Sequence, residues 1–245
     1  MPQLFSTKLE AVKTLTSSVK EFTFALPENM KLSFVFIPGQ FIRLFIPNSE
    51  NKPLTRSYSL ANHKRDPSGR LTLAASYVEG GVASEYLFNQ IKIGDDVRTS
   101  GPFGKLVIKP EDTASRVFLV STGTGVTPYR AMLPILENRY STTEYHILQG
   151  VRHASDLLYA DDFEKSASQS NGSLTFYPCL SREDNTTSDY FRGYVQDQLS
   201  LLNPNPESDL IYLCGNPNMI DNTFEMLQTL GFDGQNVRRE KYISP

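Results

Sequence analysis

The 245-residue sequence contains no tryptophan and only two cysteines, Cys179 and Cys214. Two thiols cannot build a disulfide framework, a four-cysteine zinc site or the ligand set of a 2Fe–2S cluster. Histidine is nearly as scarce, and His63, His146 and His153 share no ligand spacing. No metal is therefore expected, and each histidine reads as a surface or packing side chain. Long apolar runs are missing too. The most apolar stretch, Leu32 to Pro47, is broken by Pro38, Gly39 and Arg43, well short of the roughly 20 apolar residues of a membrane span. The start, MPQLFSTKLEAVK, lacks a charged-then-apolar leader, which points to a cytoplasmic protein. Net charge is −3 and the pI about 5.7, so no overall basic field exists to hold nucleic acid or an anionic membrane.

What remains is ordinary globular composition, with 39% apolar and 21% charged residues, and it excludes disorder, collagen and coiled coil. The length suits one large domain or two of about 120 residues. Up to about residue 110, short runs rich in β-branched and aromatic residues are separated by Pro, Gly, Asn and Asp. They are Lys8–Leu15, Val19–Ala25, Gln40–Ile46, Arg56–Leu60, Leu71–Val78 and Val97–Ser100, and they predict antiparallel strands. Ala83–Ile91 is the helical segment of this half, and a small barrel would hide the strand edges. From Arg116 the pattern changes to apolar strands, Val117–Ser121, Tyr145–Gln149, Leu174–Pro178, Leu210–Cys214 and Asn236–Ile243. They alternate with helices expected at Pro128–Arg139, Asp156–Ser166, Ser188–Leu202 and Asn218–Leu230. Such alternation means a parallel sheet wrapped by helices. Ile108–Ser115 is the expected boundary, giving domains over residues 1–110 and 111–245.

Several segments carry chemistry. Ser121-Thr122-Gly123-Thr124-Gly125-Val126-Thr127-Pro128 leaves a strand and enters a helix. Glycines there let a phosphate approach the backbone, and the helix start offers N–H groups and a positive dipole. Arg152 and Arg182 each follow a strand on the same expected sheet edge, with Ser181 beside them and Arg192 further on. Cations and a hydroxyl, in place of the acidic residue that binds a ribose 2′-OH, favour a 2′-phosphate and hence NADP. Cys214-Gly215-Asn216-Pro217-Asn218-Met219 repeats the strand, turn and helix pattern, with the thiol expected to face the crevice. In the first half, alternation puts Arg56 and Tyr58 on one strand face and Ser57 and Ser59 on the other. Gly80-Gly81-Val82-Ala83-Ser84 enters the local helix with free N–H groups and a hydroxyl, a second phosphate candidate.

Taken in order, RSYS, GGVAS, GPFG, GTGVTP, GVRHASDLLY, LSRE, CGNPNM and EKY resemble the ferredoxin–NADP reductase family of flavoproteins, in particular its bacterial ferredoxin or flavodoxin–NADP reductases. The resemblance implies a six-stranded antiparallel Greek-key barrel that binds FAD, followed by a Rossmann-like α/β domain that binds NADP(H). It implies that Arg56 and Ser57 lie at the flavin's phosphate side, Tyr58 stacks on the flavin and Ser59 hydrogen-bonds at its N5. Ala74, Ala75 and Ser76 would run beside the isoalloxazine, and Gly81, Val82, Ala83 and Ser84 would contact the pyrophosphate. Thr124 would touch both cofactors, within a turn that includes Gly125, Val126 and Pro128. Val151, Arg152, Ser181, Arg182 and Arg192 would hold the adenine-side phosphates, and Gly215, Asn216 and Met219 would line the nicotinamide half. Cys214 and Glu240 would border the nicotinamide. Tyr242 takes the place of the family's terminal aromatic cover, although Ile243-Ser244-Pro245 extends past it.

The implied activity is hydride transfer between nicotinamide and flavin, with single electrons passed to or from ferredoxin or flavodoxin by a monomeric enzyme. Two rivals stand beside it. One is an NADH-dependent reductase of cytochrome b5 or free flavin, and the other is a non-catalytic dinucleotide sensor or scaffold. Acidic carriers would need a local basic patch, for which His63-Lys64-Arg65 with Arg70 is the candidate.

Overall fold

The computed structural model describes residues 3–48, 52–62, 68–183 and 190–242. The chain divides into one unit that runs to Val107 and a second that starts at Ile108.

The first unit is a six-stranded antiparallel sheet made of β1 (Gln3–Thr14), β2 (Val19–Ala25), β3 (Phe41–Ile46), β4 (Leu54–Ser59), β5 (Arg70–Ser76) and β6 (Asp96–Phe103), in the order β4-β3-β6-β1-β2-β5. Period-two patterning curls it around one core. In β3, Ile42, Leu44 and Ile46 are fully buried while Arg43 points outward. β1 is long because it serves two partners. Gln3 to Lys8 pairs with β6 and Lys8 to Thr14 with β2, with a bulge between Leu9 and Ala11. The outer strands meet where Leu60 bridges Leu73 and the Ala61 N–H donates to the Thr72 carbonyl at 2.7 Å, so the half-barrel closes at that end. The expected helix is short. α1 (Val82–Glu85) widens into a π turn over Tyr86–Gln90, closed by the Ile91 N–H on the Tyr86 carbonyl.

The second unit is a six-stranded parallel sheet of β7 (Arg116–Thr122), β8 (Glu144–Val151), β9 (Leu174–Leu180), β10 (Phe191–Arg192), β11 (Asp209–Gly215) and β12 (Val237–Lys241), ordered β10-β9-β8-β7-β11-β12. Its central strands are near-continuous apolar runs, and every residue of β11 is buried, because helices cover both faces. These helices are α2 (Thr127–Glu137), α3 (Ala160–Gln169), α4 (Val195–Leu201) and α5 (Pro217–Thr229). Val195 and Leu199 of α4 and Ile220 and Leu227 of α5 pack on Phe118, Val120 and Ile211, while Arg130 of α2 holds Asp162 of α3 at 2.6 Å. Successive strands run outward from β7 through β8 and β9 to β10, and then β11 returns to its other side. The switch of direction thus falls between β7 and β11, where ligands of such sheets gather.

The expected helix at Asp156–Ser166 is displaced, and that at Ser188–Leu202 starts later among the described residues, positions 188 and 189 lying outside them. The Asp156 carboxylate accepts the His153 N–H at 3.1 Å, and Tyr159 adopts a left-handed φ of 59°, so α3 starts only at Ala160. Phe191 and Arg192 pair with β9, and Gly193 at φ 139° turns the chain before α4. Cys179 on β9 and Cys214 on β11 are separated by two strands, about 14 Å at sheet spacing, too far for a disulfide.

Candidate functional site

In the first unit, Arg56 and Tyr58 share the core-side face of β4 and are half-buried, while Ser57 is exposed and Ser59 is buried on the other face. Tyr58 packs against the barrel core. Burial pushes its hydroxyl up to about 12 against the opposing charge of Arg56, so it is a neutral phenol next to a cation. On β5 the alternation separates the three expected flavin neighbours. Ala75 joins the core cluster, which leaves Ala74 and exposed Ser76 on the opposite face. Ala75 can therefore reach a ligand only through its backbone.

The GGVAS segment forms a tight turn into α1. The Gly81 N–H donates to the Val78 carbonyl at 2.9 Å, and the first helical bond is from the Glu85 N–H to the Gly81 carbonyl. The N–H groups of Val82 and Ala83 thus precede any intrahelical acceptor. The Ser84 hydroxyl, expected to be available to a phosphate, lies 2.8 Å from the Val78 carbonyl and 2.9 Å from that of Gly81. It braces the turn and keeps only its accepting lone pairs. A groove of about 420 Å³ runs beside the turn, lined by Pro47, Asn48, Gly80, Gly81, Val82, Glu85 and Gln90.

In the second unit two glycine turns are packed against each other. A Cβ on Gly125 would stand 2.3 Å from the Cys214 carbonyl oxygen, and one on Gly215, at φ 123°, would stand 2.7 Å from that of Thr122. The turn after β7 and the turn after β11 therefore touch through their backbones, and only glycine fits at either place. The Thr122 hydroxyl accepts the Asn216 N–H at 3.0 Å, and the Asn216 side chain caps α5 by accepting from Asn218 and Met219. Asn216 so employed builds the turn. Above this floor the space is open, since a Cβ on Gly123 would meet nothing within 4 Å. An open, backbone-lined turn leading into α2, with Thr124 half-buried beside it, fits a dinucleotide phosphate.

The expected cations converge. β8 and β9 stay paired past their ends, with Ser181 N–H on the Val151 carbonyl at 3.0 Å and Arg182 N–H on that of Arg152 at 2.9 Å. Arg192 lies across from Leu180 on β10. Arg152, Ser181, Arg182 and Arg192 are thus brought to the carboxyl ends of three adjacent strands, with all three arginines exposed. Among the described residues neither Arg152 nor Arg182 has an ion-pair partner.

At the other end of the sheet Cys214 pairs with Glu240 across β11 and β12, and the Tyr242 N–H donates to the Gly215 carbonyl at 2.8 Å. Cys214 is completely buried. Burial pushes its thiol well above the ordinary range, the charge of Glu240 adds to this, and a hydrogen bond from the Tyr242 side chain opposes it. The thiol expected to face a crevice is therefore protonated and enclosed, in contact with Tyr242.

Three contributors are not among the expected site residues. Thr122 locks the two turns together, and buried Gln149 pairs its side-chain amide with both backbone groups of Leu158, at 3.0 and 3.2 Å. Glu183 accepts the Ala154 N–H at 3.0 Å. The Thr122 and Glu183 contacts reach backbone groups 94 and 29 residues away, which no local spacing reveals. Of the expected carrier patch, His63, Lys64 and Arg65 lie outside the described residues, and Arg70 is engaged by Glu10 at 2.6 Å. Among the described residues no cluster of metal-ligating side chains occurs and no helix is long and apolar enough to cross a membrane.

Residues 6–108 match the oxidoreductase FAD-binding domain and residues 119–224 the oxidoreductase NAD-binding domain. Together with the geometry they define the class, an FAD- and NAD-binding oxidoreductase. The chain is 33% identical to ferredoxin–NADP reductase B of Sorangium cellulosum, over 97% of each protein. It belongs to the ferredoxin–NADP reductase family. It is also 28% identical to the toluate 1,2-dioxygenase electron transfer component of Pseudomonas putida over 85% of its own length, and spans 59% of that relative. Among solved structures, the Amycolatopsis cytochrome P450 reductase GcoB superposes with a TM-score of 0.87 at 27% identity, covering 98% of this chain and 70% of that one. A ferredoxin–NADP+ reductase of Neisseria gonorrhoeae with bound FAD and NADP shares the fold, with a TM-score of 0.84 at 22% identity over 98% and 99% of the two chains.

Proposed function

We propose that this chain takes electrons from NADPH through bound FAD and passes them to a small carrier protein of the ferredoxin or flavodoxin type, in the cytoplasm, where its unbridged thiols persist. The choice of NADPH is carried by the grouping of Arg152, Arg182 and Arg192 at one sheet edge, a seat for a dianionic 2′-phosphate, beside Ser181, whose hydroxyl donates to the Val151 carbonyl at 3.2 Å. Glu183, the nearby carboxylate, is turned onto the Ala154 N–H instead of being left to accept from a ribose hydroxyl. The likeness to the Sorangium ferredoxin–NADP reductase supports the same reading. Likeness to the toluate dioxygenase electron transfer component favours, as a second reading, an oxygenase component as the electron acceptor.

When bound, FAD supplies the redox chemistry by accepting a hydride and releasing its electrons singly. The protein's own residues bind and orient. Arg56 and the first-turn amides of Val82 and Ala83 neutralise the flavin's pyrophosphate, and the neutral Tyr58 offers a ring for stacking. Ser59 holds a proton at flavin N5. Thr124 and the first turn of α2 hold the phosphates of the nicotinamide dinucleotide. Glu240 and Tyr242 border the nicotinamide, and the enclosed, protonated Cys214 thiol packs against Tyr242.

The test is steady-state turnover with NADPH and NADH in the native protein and in Arg182→Ala. A solvent-screened arginine–phosphate bond contributes about 1–2 kcal/mol, so kcat/KM for NADPH should fall about 5- to 30-fold while that for NADH is nearly unchanged. Equal use of both nucleotides by the native protein would remove the case for a 2′-phosphate seat.

A further inference from the structure

The arginine cluster is held by contacts that involve no nucleotide. Past the strand ends, Ser181 and Arg182 bond to the carbonyls of Val151 and Arg152, and the next residue, Glu183, turns back across the gap. Its Oε2 accepts the Ala154 N–H at 3.0 Å and lies 3.7 Å from Nδ1 of His153. The far end of the same β8 loop is fixed by the Gln149 amide on the Leu158 backbone, and its middle by Asp156, which accepts the His153 N–H at 3.1 Å. The loop that carries Arg152 is thus tied down along its length, and beyond the backbone pairing two side chains tie it to the Arg182 loop: the Ser181 hydroxyl, which donates to the Val151 carbonyl at 3.2 Å, and Glu183, which reaches further along the loop to Ala154.

We propose that Glu183 is a positioning residue for the nucleotide's 2′-phosphate. By clamping Ala154 it holds the two loops together so that Arg152 and Arg182 address one anion. The inference rests on reading the cluster as the 2′-phosphate seat. It runs against simple charge reasoning, since a carboxylate beside a phosphate site should repel the ligand. Here the carboxylate is turned toward an N–H donor and an imidazole, and its role is to fix the cations. The two roles predict opposite signs. If repulsion dominates, removing the charge tightens NADPH binding, whereas if the clamp dominates, removing the acceptor loosens it.

The experiment measures KM and kcat for NADPH and NADH with an artificial acceptor, and calorimetric binding of 2′-phospho-AMP, in the full chain and in Glu183→Ala, Glu183→Gln and Arg182→Ala. Glu183→Ala should raise the NADPH KM and the 2′-phospho-AMP Kd by about 3- to 10-fold, the effect of losing roughly one hydrogen bond's worth of pre-organisation. Its kcat and NADH KM should be unaltered. Glu183→Gln keeps an acceptor for the Ala154 N–H and should behave like the native protein. Tighter or unchanged 2′-phospho-AMP binding in Glu183→Ala, alongside weakened binding in Arg182→Ala, overturns the clamp and leaves the seat standing. Equal weakening of NADPH and NADH by Glu183→Ala also overturns it. Unaltered binding in Arg182→Ala overturns the seat and the clamp together.

Discussion

Gly125→Ala probes the packing of the two glycine turns that form the nucleotide floor. The added Cβ would lie 2.3 Å from the Cys214 carbonyl oxygen, 2.7 Å from its carbon and 2.8 Å from the Gly215 Cα. All three are backbone atoms, so no side-chain rotation makes room. Ordinary contact begins near 3.4 Å, and the two turns would have to part by about 1 Å between strands paired in register at Cys214 and Ser121. Overpacking costs about 1–3 kcal/mol, and the backbone origin of this clash places it at the upper end, near 3 kcal/mol. At about 2–4 °C per kcal/mol for a chain of this length, melting should fall by roughly 6–12 °C, and the NADPH KM should rise because Thr124 moves with the turn. Gly123→Ala serves as the comparison. It meets no neighbour within 4 Å and should cost only the left-handed backbone penalty of about 1–2 kcal/mol. The assay is thermal melting by circular dichroism with NADPH kinetics. A Gly125→Ala protein that melts within about 2 °C of the native protein, with unaltered NADPH KM, would refute the packing described.

Two further outcomes concern the sheet that carries the site. The Asp209 side chain is completely enclosed and takes Arg116 Nε at 3.2 Å, Arg116 Nη2 at 2.6 Å, the Asn205 N–H at 2.7 Å and the Ser208 hydroxyl at 3.1 Å. Arg116→Ala strands that carboxylate and should cost about 3–5 kcal/mol in urea unfolding, while the double change to Arg116→Met and Asp209→Leu should recover most of it. His146 stacks on Phe118 at 4.7 Å. Burial, reinforced by the charge of Arg116, holds its pKa below the ordinary value, although Glu144 and Asp209 pull the other way. The unfolded chain then binds more protons than the folded one below the ordinary histidine pKa, so this contribution is complete above about pH 6.5 and falls as pH drops through it, by at most about 1.4 kcal/mol per unit. Denaturant melts at high and low pH should show a smaller loss in His146→Phe than in the native protein, and identical losses would remove the assignment.

Strands with a strict period were legible from sequence. β2 is found where alternation places it, at Val19–Ala25, and the continuous apolar run at β7 announces a central parallel strand. Positions set by distant partners were not. β1 begins well before its local signal because its first half is held by β6. The two-residue β10 exists only through its pairing with Cys179 and Leu180, and it consumes residues that helical periodicity had given to α4. The site follows the same division. Glycine turns and arginines show in the local spelling because their chemistry is local. Thr122, Gln149 and Glu183 act through backbone groups up to 94 residues away, and the enclosure of Cys214 follows from a β12 that returns to β11's flank.

The account stands most directly on the visible spectrum of the purified full chain during anaerobic titration with NADPH. It predicts a yellow protein carrying stoichiometric FAD whose flavin absorbance bleaches on NADPH addition and returns when an electron acceptor is supplied. A protein that stays colourless after incubation with FAD, or whose bound flavin is unchanged by NADPH and NADH alike, would contradict it.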